Sequence, residues 1–274
     1  HTGAVRSLSY ANNTGLVSGS ADKAAVLWET SPEWTLVRTI GTDDAPLVDR
    51  VISLAFSPDG KQLATGGGEP SRRGELKNWN VADGKLIREI ADAHSDTVFS
   101  LEYSPEGNML ASGAADKFLK VWDVAKGEMI RSYEGHTHHV LGVSWKFDST
   151  VLATCGADNV IKVWNVETGE QQRTISGFNK QLTAIKFVGN TPEVVASGGD
   201  TQVHRRRSDN GGTVRTYSGG TDYMYAVAVS ADGNVVVGGG EDSAVRVWNG
   251  ADGKVLRTFE PPKTEGAAET TAAK

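Results

Sequence analysis

Residues 110–124 read LASGAADKFLKVWDV, and residues 152–166 read LATCGADNVIKVWNV. The second segment begins 42 residues after the first and repeats both its tryptophan and the aspartate six residues before it. Near-identity at a fixed period of this length indicates a structural unit that is stacked in several copies. The tryptophan therefore serves as the reference for dividing the rest of the chain.

Five tryptophans lie in matching contexts: Trp28, Trp79, Trp122, Trp164 and Trp248. Their spacings are 51, 43, 42 and 84 residues, and the last spacing is twice 42. The midpoint of that longest interval is Arg206, in the segment QVHRRRSD. The chain therefore has six repeats, and the fifth has lost its tryptophan.

Each repeat divides into four short strand-like runs. In the third repeat these are VFSLEYS, MLASGA, FLKVWDV and EMIRSYE, separated by turn residues. Four such runs in about 42 residues predict one antiparallel sheet. A single sheet cannot bury both of its faces, whereas copies stacked around an axis can.

On these residues the chain resembles the WD40 family from residue 1 to about residue 260. The resemblance implies an all-β fold, a β-propeller of six four-stranded antiparallel blades. We place the blades at about 1–41, 42–91, 92–134, 135–176, 177–218 and 219–260. Residues 261–274 have almost no bulky apolar side chains and are predicted to be a disordered tail.

Three repeats share a histidine, a hydroxyl residue, an aspartate and a tryptophan. These residues are His1, Ser18, Asp22 and Trp28; His94, Ser112, Asp116 and Trp122; and His136, Thr154, Asp158 and Trp164. The resemblance implies a hydrogen-bonded chain from the indole through the hydroxyl and the imidazole to the carboxylate. A structural role is favoured over a hydrolase triad, because the set occurs three times with a tryptophan and without a nucleophile elbow.

The other three repeats depart from this pattern, and we expect their blades to be softer. The histidine position holds Leu47, Phe178 and Gly220 in the second, fifth and sixth repeats. Arg206 occupies the tryptophan position of the fifth repeat, and Gly238 the hydroxyl position of the sixth.

Composition excludes several classes of protein. A formal net charge of −6 argues against a nucleic-acid binder. No apolar run approaches the ~18 residues of a membrane helix, so we expect no membrane insertion. The single cysteine, Cys155, is predicted to pack in the core and cannot form an internal disulfide. A lone thiol fits a reducing compartment without excluding export, so both cytoplasm and periplasm stay open.

Nothing in the sequence points to a reaction, and we predict no catalytic, cofactor or metal site and no enzyme activity. HTHH at 136–139 is the one histidine cluster, interpreted as one network histidine and two solvent-facing ones. The glycine-rich GGGEPSRRGE at 66–75 lacks the GK[ST] of a phosphate loop. HRRR at 204–207 fits a solvated strand face, with an anion patch as the alternative.

The resemblance also implies a partner surface. In WD40 propellers the loops before the first strand and after the second strand of each blade form one rim, the top. Alignment of the repeats, together with the arginines of 66–75, gives these candidates: Arg6, Arg50, Arg72, Arg73, Phe99, His139, Leu141, Gln181, Tyr223 and Tyr225. The alternative for Phe99 and Leu141 is that they line the central channel. Long loops at 41–50 and 66–75 are expected on the same rim.

We therefore predict a non-enzymatic scaffold that binds a peptide or protein segment, acidic in character, on the top face. The sequence also resembles bacterial WD40 regions, including those at the C-terminal end of large proteins with an N-terminal c-type cytochrome domain. The alternative function is thus a targeting or assembly propeller of an exported cytochrome protein.

Closure of the ring is an open point in the sequence. Every blade supplies its own four strands, so no strand is left to cross from the last blade to the first. Either six blades close by packing alone, or the ring is open and the chain is part of a longer protein, which we favour. An open ring would expose its seam faces and promote self-association.

Overall fold

A computed structural model of the chain describes residues 5–11, 15–20, 23–29, 35–41 and 45–260. All regular structure in these residues is β-strand, arranged as six four-stranded sheets. Each sheet is an antiparallel meander whose strands pair in chain order. The molecule is a six-bladed β-propeller, as the sequence predicted.

The strands of blades 1 to 3 are β1 (Val5–Ala11), β2 (Gly15–Ser20), β3 (Ala25–Glu29), β4 (Thr35–Ile40), β5 (Arg50–Phe56), β6 (Gln62–Glu69), β7 (Arg73–Asn80), β8 (Leu86–His94), β9 (Val98–Tyr103), β10 (Met109–Ala114), β11 (Leu119–Asp123) and β12 (Met129–Tyr133). Those of blades 4 to 6 are β13 (Val140–Trp145), β14 (Val151–Gly156), β15 (Ile161–Asn165), β16 (Gln171–Ile175), β17 (Leu182–Phe187), β18 (Glu193–Gly198), β19 (Val203–Arg207), β20 (Thr213–Tyr217), β21 (Met224–Val229), β22 (Val235–Gly240), β23 (Val245–Asn249) and β24 (Val255–Phe259). β8 thus runs to residue 94, past the expected blade boundary at 91.

The core consists of apolar layers between consecutive blades. Period-two alternation turns one set of side chains toward the preceding blade and the other set toward the following blade. In blade 4, Trp164 packs with Val121 of blade 3, whereas Cys155 and Ile161 pack with Ile185 of blade 5. Blades 2 to 5 are thereby covered on both faces by their neighbours.

The outward face of blade 6 is the exception. Val245 and Phe259, which pair across β23 and β24, are 42% and 50% exposed. Their counterparts in blade 4, Ile161 and Ile175, are 0% and 3% exposed. Among the described strands, close contacts join β1 to β5 and so on around to β21, but no comparable contact joins β21 to β1. We call this uncovered surface, with Val235, the seam face.

The glycine-rich segment 66–75 is not the long loop that the sequence suggested. β6 and β7 continue through it to the pair Glu69 and Arg73, so only residues 70–72 form the turn. Glycine is required there because a Cβ at Gly67 would lie 2.0 Å from the carbonyl oxygen of Arg50. The extra residues of the second repeat therefore lengthen a hairpin. Of the other expected loop, 41–50, residues 42–44 lie outside the described part.

Candidate functional site

Blade 3 contains a continuous hydrogen-bonded chain of four side chains. The indole N–H of Trp122 donates to Ser112 Oγ at 2.8 Å, and this hydroxyl lies 2.7 Å from His94 Nε2. His94 Nδ1 lies 2.9 Å from the carboxylate of Asp116, which also accepts the N–H of Ser95. Each buried polar group thereby has a partner, as burial requires.

The surroundings of His94 and Asp116 determine their protonation states. Burial lowers the pKa of His94, so the imidazole is neutral and accepts from the hydroxyl while donating to the carboxylate. Burial alone would raise the pKa of Asp116, but hydrogen bonds from His94 and two backbone N–H groups outweigh it and lower that pKa. The arrangement is a neutral donor against an ionised acceptor, which rigidifies the blade.

Blade 4 repeats the geometry. Trp164 donates to Thr154 at 2.9 Å, Thr154 lies 2.7 Å from His136, and His136 lies 2.9 Å from Asp158. In blade 1, His1 and Asp22 lie outside the described residues, as does the side chain of Trp28, while Ser18 is buried.

In the blades that lack the histidine, a carboxylate pairs with a different basic residue. In blades 2, 5 and 6 the partner of the carboxylate comes from the third strand, two residues before the tryptophan position. The pairs are Lys77 with Glu75 at 3.0 Å, His204 with Asp200 at 3.0 Å, and Arg246 with Asp242 at 2.7 Å. The sequence carried a signal for this that we missed, because blades 2 to 6 all have a basic residue at that position.

The arginines of the basic segment 204–207 all have partners within the protein. In HRRR, Arg205 pairs with Glu193, Arg207 pairs with Asp209, and Arg206 lies over the ring of Phe178. Among the described residues no group of three or more His, Cys, Asp or Glu could hold a metal ion. The same part of the chain has no helix long and apolar enough to cross a membrane.

The top of the propeller has an opening of about 530 Å³, which we call the mouth. One equivalent residue of the innermost strand in blades 2 to 6 lines it: Ile52, Phe99, Leu141, Thr183 and Tyr225. Each is the unpaired residue of a β-bulge, which turns its side chain out of the blade sheet. Gln181, Tyr223 and Glu241 complete the lining. The structure thus brings together five predicted partner residues, at the channel entrance.

The predicted arginines lie outside the lining of the mouth. Arg50 pairs with Asp49 at 3.0 Å, and Arg72 pairs with Glu69 at 2.7 Å. Arg73 begins β7. The remaining candidates occupy the same rim: His139 lies 5.7 Å from Phe99 between ring centroids, and Arg6 stands at the bulge of β1, although its side chain is not among the described ones.

A second opening, of about 490 Å³, lies at the other end of the innermost strands. Its lining includes the last residue of four consecutive first strands: Phe56, Tyr103, Trp145 and Phe187. The loop residue Phe147 beside them is 65% exposed. We did not predict this opening, although the aromatic residue that recurs at the end of these four first strands is visible in the sequence.

Six radial blades, a four-residue hydrogen-bonded chain in blades 3 and 4, and a mouth lined from one repeated position define a repeat propeller. Its accessible feature is a surface. The chain belongs to the WD40 family. The family described as "WD domain, G-beta repeat" matches residues 1–29, 35–80, 84–123, 127–165 and 211–249. The longest unmatched interval, 166–210, contains most of the fifth repeat, the one without a tryptophan. Propellers of this family are typically protein-interaction scaffolds and generally bind proteins or peptides.

Three curated relatives match parts of the chain. They are the Periodic tryptophan protein 2 homolog of Schizosaccharomyces pombe, 37% identical over 98 residues; the WD repeat-containing protein 26 homolog of Drosophila melanogaster, 32% over 82 residues; and the WD repeat domain-containing protein 83 homolog of Dictyostelium discoideum, 26% over 125 residues. The matches cover 35%, 30% and 45% of this chain but only 10%, 13% and 35% of those relatives.

Among solved structures, the WD40 β-propeller domain of Doa1 superposes with a TM-score of 0.83 at 21% identity. The superposition covers 96% of this chain and 84% of that one. At this identity the likeness supports the fold alone. All three curated relatives are eukaryotic, so the bacterial and cytochrome-linked resemblance has no support among them.

Proposed function

We propose that the chain is a non-enzymatic protein-interaction scaffold that docks a peptide or protein segment on its top face. The mouth is the observation that carries this proposal. Five consecutive blades contribute to it from one bulged position, so a rigid frame presents the side chains. Pre-organised side chains lose little conformational entropy on binding, which favours affinity.

The chemistry of the mouth suits an apolar anchor. Ile52, Phe99 and Leu141 form an aliphatic and aromatic wall, and Gln181 and Thr183 provide polar groups beside it. A few convergent polar groups in a largely apolar concave site are typical of binding sites. Aromatic anchors near the centre of an interface carry most of its energy.

The test is capture of partners on the immobilised propeller. We expect the double substitution of Phe99 and Leu141 by alanine to reduce capture about tenfold or more, because it removes the anchor surface. Phe147→Ala is the matched control, because it removes an exposed aromatic ring at the opposite opening. If Phe147→Ala lost partner capture while the double variant retained it, the binding site would lie on the opposite face.

The acidic character of the partner is a further part of the proposal. Arg50, Arg72 and Arg73 stand near the top of blade 2 on a chain whose formal net charge is −6. Guanidinium groups bind carboxylates in a bidentate way. Arg50 and Arg72 already form ion pairs with neighbouring carboxylates. A carboxylate of the partner would therefore replace these exposed pairs, which contribute little to stability.

Self-association through the seam face is a second proposal. Its support is the exposure of Val235, Val245 and Phe259, whose counterparts elsewhere are covered by the next blade. Contiguous exposed apolar surface favours association. Light scattering should show a concentration-dependent dimer that Val245→Asp abolishes, whereas a compact monomer at all concentrations would reject the proposal.

The cytochrome-linked alternative stays a proposal that rests on the sequence resemblance alone. Sequencing the gene on the upstream side tests it directly. A C-x-x-C-H motif there would support it, and its absence would remove the alternative.

A further inference from the structure

The mouth differs from one side to the other. On the side of blade 6 the rings of Tyr223 and Tyr225 lie 5.3 Å apart between centroids at an interplanar angle of 40°. Glu241 lies beside them and is the one charged residue that lines the mouth in the described part of the chain. We call these three residues the tyrosine–glutamate site.

Neighbouring backbone holds this site in place. A Cβ on Gly199 would come within 2.4 Å of the ring of Tyr223, so glycine lets the ring lie against the β18–β19 turn. The N–H of Glu241 donates to the carbonyl oxygen of Tyr223 at 2.8 Å, which joins the two residues directly. Both contacts belong to turns of the rigid blades, so the site does not have to form on binding.

The carboxylate of Glu241 is exposed and has no ion pair with any residue that the structure describes. Its sequence neighbour Asp242 differs, because Asp242 pairs with Arg246 at 2.7 Å. A hydrogen bond from the phenol of Tyr225 to Glu241 raises the pKa of Tyr225. Tyr225 itself is 54% exposed. The site therefore presents two aromatic faces and one carboxylate without a cation.

We propose that the tyrosine–glutamate site binds a cationic side chain, lysine or arginine, of the docked segment. Aromatic faces attract a cation through their quadrupole, and a carboxylate adds a charge-assisted hydrogen bond. This inference rests on the proposed function. It also gives the docked segment a direction, with its basic residue toward blade 6 and its acidic part toward the arginines of blade 2.

The test uses N-acetyl-argininamide as the probe and N-acetyl-citrulline amide as its neutral counterpart. Tyrosine ring resonances of the ¹³C-labelled protein are recorded during titration, with Tyr225→Phe to assign the signal. We expect saturable shifts at Tyr223 and Tyr225 with a dissociation constant in the roughly millimolar range, and shifts at least about fivefold smaller with citrulline. The arginine shifts should also weaken as salt is raised.

Two variants separate charge from shape. Glu241→Gln keeps the size of the side chain and should remove the preference for arginine over citrulline. Glu167→Gln, a carboxylate in the turn after β15, is the matched control and should leave that preference unchanged. Absence of arginine-dependent shifts, or an unchanged preference in Glu241→Gln, overturns the inference. Partner capture that depends on Phe99 and Leu141 would still stand in that case, so the two proposals fail separately.

Discussion

The guanidinium carbon of Arg206 lies 4.8 Å from the centroid of the Phe178 ring. These residues occupy the tryptophan and histidine positions of the fifth repeat, the two ends that the hydroxyl joins in blades 3 and 4. The hydroxyl of that repeat, Ser197, instead lies 2.7 Å from Thr183 Oγ1. The blade has thus exchanged a hydrogen-bonded chain for a cation–aromatic contact between the same two places.

We expect this contact to be worth about 0.5–1 kcal/mol in a double-mutant cycle of Arg206→Ala and Phe178→Ala. Chemical denaturation of the four proteins measures it. Arg207→Ala is the control, because its exposed pair with Asp209 contributes little. A coupling free energy of zero would mean that the two side chains are only neighbours.

Asp116→Ala should destabilise the protein by about 1–3 kcal/mol. The substitution leaves the buried His94 and two backbone N–H groups without their acceptor, and such losses cost this much. Differential scanning calorimetry gives the change. Glu128→Ala, an exposed position in the same blade, should stay within about 0.5 kcal/mol. Equal melting temperatures for the two variants would contradict the structural role of the chain.

Stability should fall as the pH is lowered from about 7.5 toward 5. Burial lowers the pKa of His94 and of His204 below the ordinary histidine value of 6.5, so below that pH the unfolded chain binds protons that the folded protein does not. Each histidine contributes a slope of at most about 1.4 kcal/mol per pH unit. Thermal unfolding at several pH values checks this, and His94→Gln should flatten the dependence.

A further loss should appear at lower pH. The folded protein lowers the pKa of Asp116 and Asp158 below 3.8, so their stabilising contribution is present above that value and disappears as the pH falls through the folded pKa. A melting temperature that stays constant from pH 7.5 to pH 3 would contradict both parts of this prediction.

Once a partner is found, reversing Arg50 and Arg72 to glutamate should weaken its binding mainly through a slower association rate. Exposed charges steer encounter and are screened by salt. Surface plasmon resonance at two salt concentrations separates the rates, and adding Phe99→Ala should accelerate dissociation. The charge reversal should change stability by less than about 0.5 kcal/mol. Equal association rates at low salt would show that the arginines do not face the partner.

The fold could be predicted from the sequence because its determinants are local and repeated. The tryptophan spacing predicts the number of blades, and the period alone places Arg206 at the tryptophan position of the fifth. The pairing of Arg206 with Val194 matches that of Trp164 with Leu152 in blade 4. Because the pattern is repeated, a blade that has lost one marker residue can still be placed from the others.

Features that depend on what lies beside a residue could not be predicted. The segment 66–75 has the composition of a loop, yet close backbone approach makes its glycines part of a hairpin. The pattern of Val245 and Phe259 is that of covered core residues. The sequence leaves the closure of the ring open, and the arrangement of the blades shows that these two residues are exposed. The mouth is an intermediate case. Alignment of the repeats identifies residues that line it, but it does not predict that they are the unpaired residues of β-bulges.

Cys155 offers a way to time the separation of two blades. It is the single cysteine of the chain, it is fully buried between blades 4 and 5, and burial raises the pKa of its thiol. A disulfide reagent therefore reacts only with molecules in which that interface has opened. The labelling rate at increasing reagent concentration reports first the population of the opened state and then the rate of opening. The reactivity of this one native thiol thus reports transient opening of the propeller between blades 4 and 5, without any introduced label.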